Sequence, residues 1–423
     1  GIGGALTYES DAAHAPGTLV RVPLGSRELL GVVWDESKPY IESGDNASLA
    51  DTNASEQPSL LIGDDPSHQN AAPVPMQLRA IASVLEGLAP LSAHWRQLVQ
   101  FAAHYYQRSA GEVALAALPS QLRDLSTEQW TRRLKRKSKA VAAFEGATQT
   151  IPEPTDEQAQ VLADIAANKG PFLLFGNTGS GKTEVYLRAA QAVLEENPQA
   201  QILVMVPEIN LTPQLEARLR ARFAGHTVAT LHSGLTPAQR VNHWLQAHLG
   251  QADLVLGTRL SVMASLPRLG LIVVDEEHDP SYKQQEGARY SARDLAVYRA
   301  RLEGVPVVLG SATPSLESWR HAQQGRYRLL RMPSRVGDGA LPQVELIDLN
   351  LQPRSVASGA GGSLLSTALV AAVQERIDRG EQSLLLLNRR GYAPVLHCGA
   401  CSWKSECPHC SAWRVFHKVD RSL

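Results

Sequence analysis

The 423-residue sequence has only four cysteines, and all of them fall between Cys398 and Cys410. A disulfide framework spreads its cysteines along the chain, so this placement argues against an oxidatively stapled scaffold. Also missing is any run of the roughly 18 consecutive apolar residues that a membrane-spanning helix needs. The first residues lack the basic-then-apolar pattern of a secretory signal. A cytoplasmic protein with no membrane partner is the expectation. Neither sign of charge is in excess, with 41 Lys and Arg against 42 Asp and Glu. Bulk charge therefore offers no attraction to a polyanion, and any nucleic-acid contact must come from local patches. The sequence opens at Gly1 without a methionine, so the native start is expected to be missing. A chain of this length and ordinary composition is expected to form about two to four domains.

What is present begins with Phe172-Leu-Leu-Phe-Gly176-Asn177-Thr178-Gly179-Ser180-Gly181-Lys182-Thr183, an apolar strand that breaks into a glycine-rich loop. The loop matches G-x-x-x-x-G-K-[ST] completely, and 184–195 reads as a helix after it. Backbone N–H groups of Gly176 to Thr183 can wrap a polyphosphate, Lys182 can reach its terminal phosphates, and the Thr183 hydroxyl can ligate Mg²⁺. The chain is expected to bind a nucleotide.

Around this motif the chain changes character several times. Thr18–Val22 and Leu29–Trp34 are short β-type runs. Residues 40–75 are rich in Ser, Asp, Asn and Pro and read as a flexible loop. Apolar spacing from Met76 to Tyr106 predicts two helices, the first through Leu78, Ile81, Val84 and Leu85. The basic run 132–139 fits either a solvated linker or a phosphate-backbone contact. From about 155, the apolar runs Ile202–Val206, Asp253–Leu256, Leu271–Val274 and Val307–Leu309 predict buried parallel strands in a doubly wound α/β domain. A second such unit is expected after about 345, with a helix over 367–379 and a strand at 383–387.

Two further constellations carry chemistry. Asp275, Glu276, Glu277 and His278 follow a buried strand. Asp275 can hold Mg²⁺ through water and Glu276 can orient or deprotonate the attacking water, although an acidic pair at a strand end also suits a helix N-cap. His278 could couple this cluster to the hydroxyls of Ser311 and Thr313. Cys398, Cys401, Cys407 and Cys410 form two C-x-x-C hooks, a zinc pattern for which redox use is the alternative.

In this order, the phosphate loop, Asp275–His278 and Ser311–Thr313 resemble the motif series of superfamily 2 helicases. Longer strings resemble the PriA family of bacterial primosomal helicases: Gly179–Tyr186, Met205–Ile209, Leu231–Leu235, Asp275–Asp279, Ser281–Gly287, Ala292–Arg299 and Leu387–Gly391. Gly17–Leu24 resembles that family's module for the 3′ end of a DNA strand. The resemblance implies a RecA-like ATP-binding lobe and an ATP-driven, Mg²⁺-dependent DNA translocase of 3′ to 5′ polarity. It also implies recognition of branched forks and single-stranded DNA, work with primosome proteins and single-stranded DNA-binding protein, and a nucleoid-associated location. Gln158 matches the family's adenine-reading position, where it could otherwise be only a helix-start residue. Thr258 and Arg259 match the motif that contacts the DNA backbone, an internal salt bridge being the alternative for Arg259. Tyr282, Arg289 and Tyr290 match an aromatic-rich loop that couples DNA to hydrolysis by stacking.

The expected domains are a β module at 1–75, a helical segment and basic linker at 76–150, helicase lobe 1 at 151–345, the start of lobe 2 at 346–397 and an incomplete zinc region at 398–423. In the family four more cysteines follow, the hooks pair with them around two zincs, and the second lobe supplies an arginine to the ATP cleft. The chain is therefore expected to be a fragment that hydrolyses poorly, or a fork-binding, partner-recruiting module. Too little chain separates Leu122 from Pro152 for the family's winged helix. Ala288 stands where Trp is usual, and Leu260 where a small hydroxyl residue is common.

Overall fold

The computed structural model describes residues 6–34, 78–124, 129–130, 152–207, 212–337, 343–348, 365–386, 401, 403–407 and 414. The chain divides into two compact units, Gly1–Gly339 and Ala340–Leu423. The basic run 132–139, the winged-helix gap and Leu387–Gly391 lie outside the described residues.

The centre of the first unit is a parallel sheet of β4 (Phe172–Gly176), β5 (Gln201–Met205), β6 (Val228–Leu231), β7 (Leu254–Gly257), β8 (Leu269–Val274), β9 (Val307–Ser311) and β10 (Arg328–Met332). The strand order is β10-β4-β9-β8-β5-β7-β6. Its inner strands are continuously apolar because helices cover both faces. Along β8, Leu271 and Val273 enter one core with residues of α4 (Asp156–Ala167) and α5 (Lys182–Glu196). Ile272 and Val274 enter the other, with Trp244 of α7 (Pro237–His248) and Leu295 of α8 (Ala292–Glu303). This is the expected RecA-like, doubly wound lobe. Further α-helices among the described residues of the unit include α1 (Ala93–Tyr105), α2 (Ala110–Ala117), α3 (Ser120–Asp124), α6 (Thr212–Arg222) and α9 (Leu316–Gln323).

The N-terminal module is a small antiparallel sheet of order β2-β1-β3, built from β1 (Leu19–Leu24), β2 (Arg27–Val32) and β3 (Ser83–Val84). The first of the two helices expected after Met76 does not form. Val84 pairs with Val20 and Ser83 with Arg21, so ladder hydrogen bonds and burial of Leu85 outweigh the helical spacing. Only α1 forms from that pattern.

In the second unit α10 (Thr367–Asp378) takes the place of the expected helix, with Ser366 capping Leu369 N–H. The strand expected at 383–387 is not formed over its described part. Leu384, Leu385 and Leu386 are exposed and pair with no strand among the described residues, and an isolated apolar run has no ladder to join.

Candidate active site

The phosphate loop leaves β4 at Gly176 and enters α5 at Lys182. Gly181 sits at φ +83°, in the left-handed region, and a Cβ there would lie 2.3 Å from Gln158 Nε2. The N-terminus of α5 points its free N–H groups and positive dipole end at the loop. Lys182 is buried and donates from Nζ to Gly176 O at 2.9 Å. Ser180 is buried with an Oγ that has no partner among the described residues. An orphan hydroxyl, a glycine-lined bend and a helix N-terminus around one lysine suit a polyphosphate, with the half-buried Thr183 beside them to face its Mg²⁺. Asn177, Thr178 and Gly179 form the exposed rim.

Gln158 reaches this loop from α4. It closes a capping box with Thr155, accepting from Thr155 N–H at 3.0 Å, and donates from Nε2 to Ser180 O at 3.3 Å. It is thus a helix-start residue that also touches the phosphate loop.

Asp275 and Glu276 begin a turn directly after β8, and no helix starts there, which disposes of the N-cap alternative. Glu276 adopts φ +45°, uncommon for a residue with a side chain. The turn is over-determined: Asp275 N–H donates to Met205 O at 2.9 Å and Glu277 N–H to Gly310 O at 3.0 Å. Burial, then the Glu276 carboxylate, push the Asp275 carboxyl up. A hydrogen bond from Tyr186, the Glu276 N–H and the Lys182 ammonium pull it back. Tyr186, on the helix that Lys182 begins, donates to Asp275 Oδ1, which joins the element after the phosphate loop to the acidic turn. His278 lies 2.8 Å from Ser311 Oγ, 3.4 Å from Thr313 Oγ1 and 3.5 Å from Glu276. The expected link between the acidic turn and the Ser311–Thr313 segment is formed.

Arg259 spends its guanidinium on backbone carbonyls, those of Ser281 at 2.8 Å and Lys283 at 3.1 Å. It makes none of the ion pairs found among the described residues. Thr258 precedes it at the end of β7. The loop held in this way departs from expectation. Tyr282 and Tyr290 are 2% and 5% exposed, so neither offers a face to a base. Tyr282 donates to Asp275 O at 2.7 Å, and burial pushes the Tyr290 hydroxyl up to about 12 against the pull of Arg259. The aromatic composition here builds core, and Arg289 is the exposed member of the trio.

Sequence reasoning missed the roles of two residues that shape the site. Tyr186 hydrogen-bonds Asp275 Oδ1 at 3.0 Å. Glu277 is buried and accepts from Ser315 N–H at 2.7 Å, Ser315 Oγ at 3.0 Å, Ser318 Oγ at 2.8 Å and Arg293 Nη1 at 3.3 Å. The third acid therefore anchors the start of α9. Of the cysteines, Cys401 is exposed and Cys407 half-buried, while Cys398 and Cys410 lie outside the described residues. No group of three metal-ligating side chains converges among the described residues.

With this geometry in view, the likeness to known proteins is informative. Residues 155–321 match the DEAD/DEAH box helicase family model, and residues 64–119 match that of a 3′DNA-binding domain. The second match includes β3, α1 and α2, so it extends well beyond the 1–75 module expected for that role. "Replication restart protein PriA" of Treponema pallidum is 33% identical over 420 residues, 98% of this chain and 56% of that protein. The chain belongs to the PriA family. The PriA of Bacillus subtilis is 41% identical over 280 residues, covering 65% of this chain and 34% of its relative. That of Haemophilus influenzae is 42% identical over 269 residues, covering 63% and 36%. The matches thus span between about a third and just over half of the relatives' lengths.

Proposed function

We propose that this chain carries the ATP-dependent motor of a DNA helicase with 3′ to 5′ polarity, acting at stalled or abandoned replication forks to begin primosome assembly. The observation that carries the reading is that the Lys182 loop, the Asp275–Glu276 turn and the His278–Ser311 pair lie at the carboxyl ends of the neighbouring strands β4, β8 and β9 of one parallel sheet, where α/β folds place their ligands, with Tyr186 of α5 bonded to Asp275. The names of the relatives, and the family models for a helicase and a 3′DNA-binding domain, support the assignment to DNA and to restart.

In this reading the loop N–H groups and Lys182 hold the β- and γ-phosphates, and Gln158 reads the adenine. Thr183 and Asp275 hold Mg²⁺, which supplies charge neutralisation on the phosphates when bound. Glu276 orients the attacking water, and His278 passes the state of the acidic turn to Ser311 and Thr313. Thr258 and Arg259, the latter through the N–H groups that its Nη1 contacts leave over, meet the DNA backbone, and Arg289 stacks on bases, branched forks and single-stranded DNA being the substrates. Each C-x-x-C hook gives two thiolates to Zn²⁺. Primosome proteins and single-stranded DNA-binding protein are the partners, in the cytoplasm at the nucleoid.

ATP turnover by the purified chain, with and without forked DNA carrying a free 3′ end, tests this in wild type and Lys182→Ala. DNA-stimulated turnover is expected to fall on the order of a hundredfold or more in the variant while fork binding persists. Equal turnover in both proteins would overturn the assignment of the site. Indifference to the 3′ end would overturn the fork reading.

A further inference from the structure

Tyr186 lies one helical turn past Lys182, on α5, yet its hydroxyl reaches Asp275 at the end of β8. β9 lies between β4 and β8, so the phenol must pass over β9 to get there. It does so at Gly310, where a Cβ would sit 1.6 Å from Tyr186 Oη and 2.7 Å from Cζ. No residue with a side chain fits beneath that ring. We infer that Tyr186 is a positioning residue for Asp275, fixing its carboxylate so that one oxygen is presented to nucleotide-bound Mg²⁺, and that Gly310 is glycine to admit it.

The hydrogen bonds give the two carboxylate oxygens different tasks. Oδ1 accepts from Tyr186 Oη–H at 3.0 Å and from Glu276 N–H at 3.1 Å. Oδ2 accepts from no described residue and is the oxygen left for the metal's water shell. The main chain of Asp275 is held independently, by Tyr282 Oη–H on its carbonyl at 2.7 Å and by its own N–H on Met205 O at 2.9 Å. The backbone therefore stays in place without Tyr186, and what Tyr186 governs is the side-chain rotamer. Such a device matters because a hydrated Mg²⁺ demands near-ideal octahedral geometry from the few carboxylates it meets.

The inference rests on the nucleotide reading above, and one experiment separates their failures. Binding of a non-hydrolysable fluorescent ATP analogue is titrated with Mg²⁺, and repeated in EDTA, for the full chain and for Tyr186→Phe, Gly310→Ala and Lys182→Ala. Tyr186→Phe is expected to raise the half-saturating Mg²⁺ concentration about tenfold, the scale of one hydrogen bond to a charged acceptor. Its EDTA affinity should stay within about twofold and its melting temperature within about 4 °C of wild type, because the fold does not depend on that hydroxyl. Gly310→Ala should shift the Mg²⁺ midpoint in the same direction by displacing the ring. A purely structural role would weaken binding in EDTA as much as in Mg²⁺. An unchanged midpoint in Tyr186→Phe, with Lys182→Ala abolishing binding, overturns the positioning role alone. Binding that is absent, or indifferent to Lys182→Ala, overturns the nucleotide reading and this inference with it.

Discussion

Glu276 and Glu277 are adjacent in sequence and opposite in environment. The Glu276 side chain keeps 35% of its surface in water and meets His278. The Glu277 side chain has none, and its oxygens are divided among Ser315, Ser318 and Arg293. Removing one partner of a buried, hydrogen-bonded ion pair strands the other, at a cost of about 3 to 5 kcal/mol. Glu277→Ala is therefore expected to lower unfolding free energy by about 3 kcal/mol or more. Glu276→Ala should cost less than about 1 kcal/mol, as expected away from buried networks, yet end hydrolysis while leaving nucleotide binding in place. Urea denaturation of the two variants checks the contrast. Equal destabilisation would mean that the division of labour between the two acids is misread.

At the scale of elements, the inner strands were legible because both of their faces are covered, which leaves continuous apolar runs such as Ile202–Met205 and Leu271–Val274. The strands that were not anticipated are the two edges, β6 and β10. Arg328-Leu-Leu-Arg-Met332 mixes two exposed arginines with a half-buried Leu329 and the buried Leu330 and Met332, a weaker signal than a buried run. Val228–Leu231 is only four residues long. The misread helix before α1 failed for a related reason, since pairing of Ser83–Val84 with β1 is a long-range contact that local spacing does not report. Helix starts were better marked, and one of them bears on the site. Thr155 and Gln158 cap α4 reciprocally, and Thr236 and Gln239 do the same for α7. Thr155→Ala and Thr236→Ala should each cost about 1 kcal/mol, the usual value of such a cap. Only Thr155→Ala should also weaken nucleotide binding, by a few-fold, because Gln158 extends from that cap to Ser180. Parallel measurements of unfolding and of analogue affinity separate the two, and equal affinities would detach α4 from the site.

Across the whole first unit, strand order decides what the sequence leaves hidden. The phosphate loop, Asp275, Glu276 and Ser311 stand out as motifs, whereas Tyr186 and Gly310 acquire meaning only because β9 lies between β4 and β8. The same holds for the join between the N-terminal module and the helicase lobe. Trp95 and Leu98 of α1 share a core with Val262, Met263 and Leu295, and Trp95 Nε1–H donates to Met263 O at 2.8 Å. His248, at the end of α7, belongs to this join. It is 3% exposed, stacks on Trp244, and lies 2.9 Å from Ala89 O through Nε2 and 2.8 Å from Ser265 Oγ through Nδ1. Burial lowers its pKa below the ordinary 6.5, against the smaller upward pull of the Ala89 carbonyl. A depressed folded value means that, between that value and 6.5, the unfolded chain holds more protons than the folded one, so stability is lost as pH falls through this window. The slope from one such group reaches at most about 1.4 kcal/mol per pH unit. The stability that His248 adds over His248→Gln, measured by urea unfolding, is therefore expected to be greatest near about pH 7.5 and to shrink toward about pH 5.5. A difference that stays constant between those pH values would show that the imidazole does not need to be neutral to hold the module against the lobe.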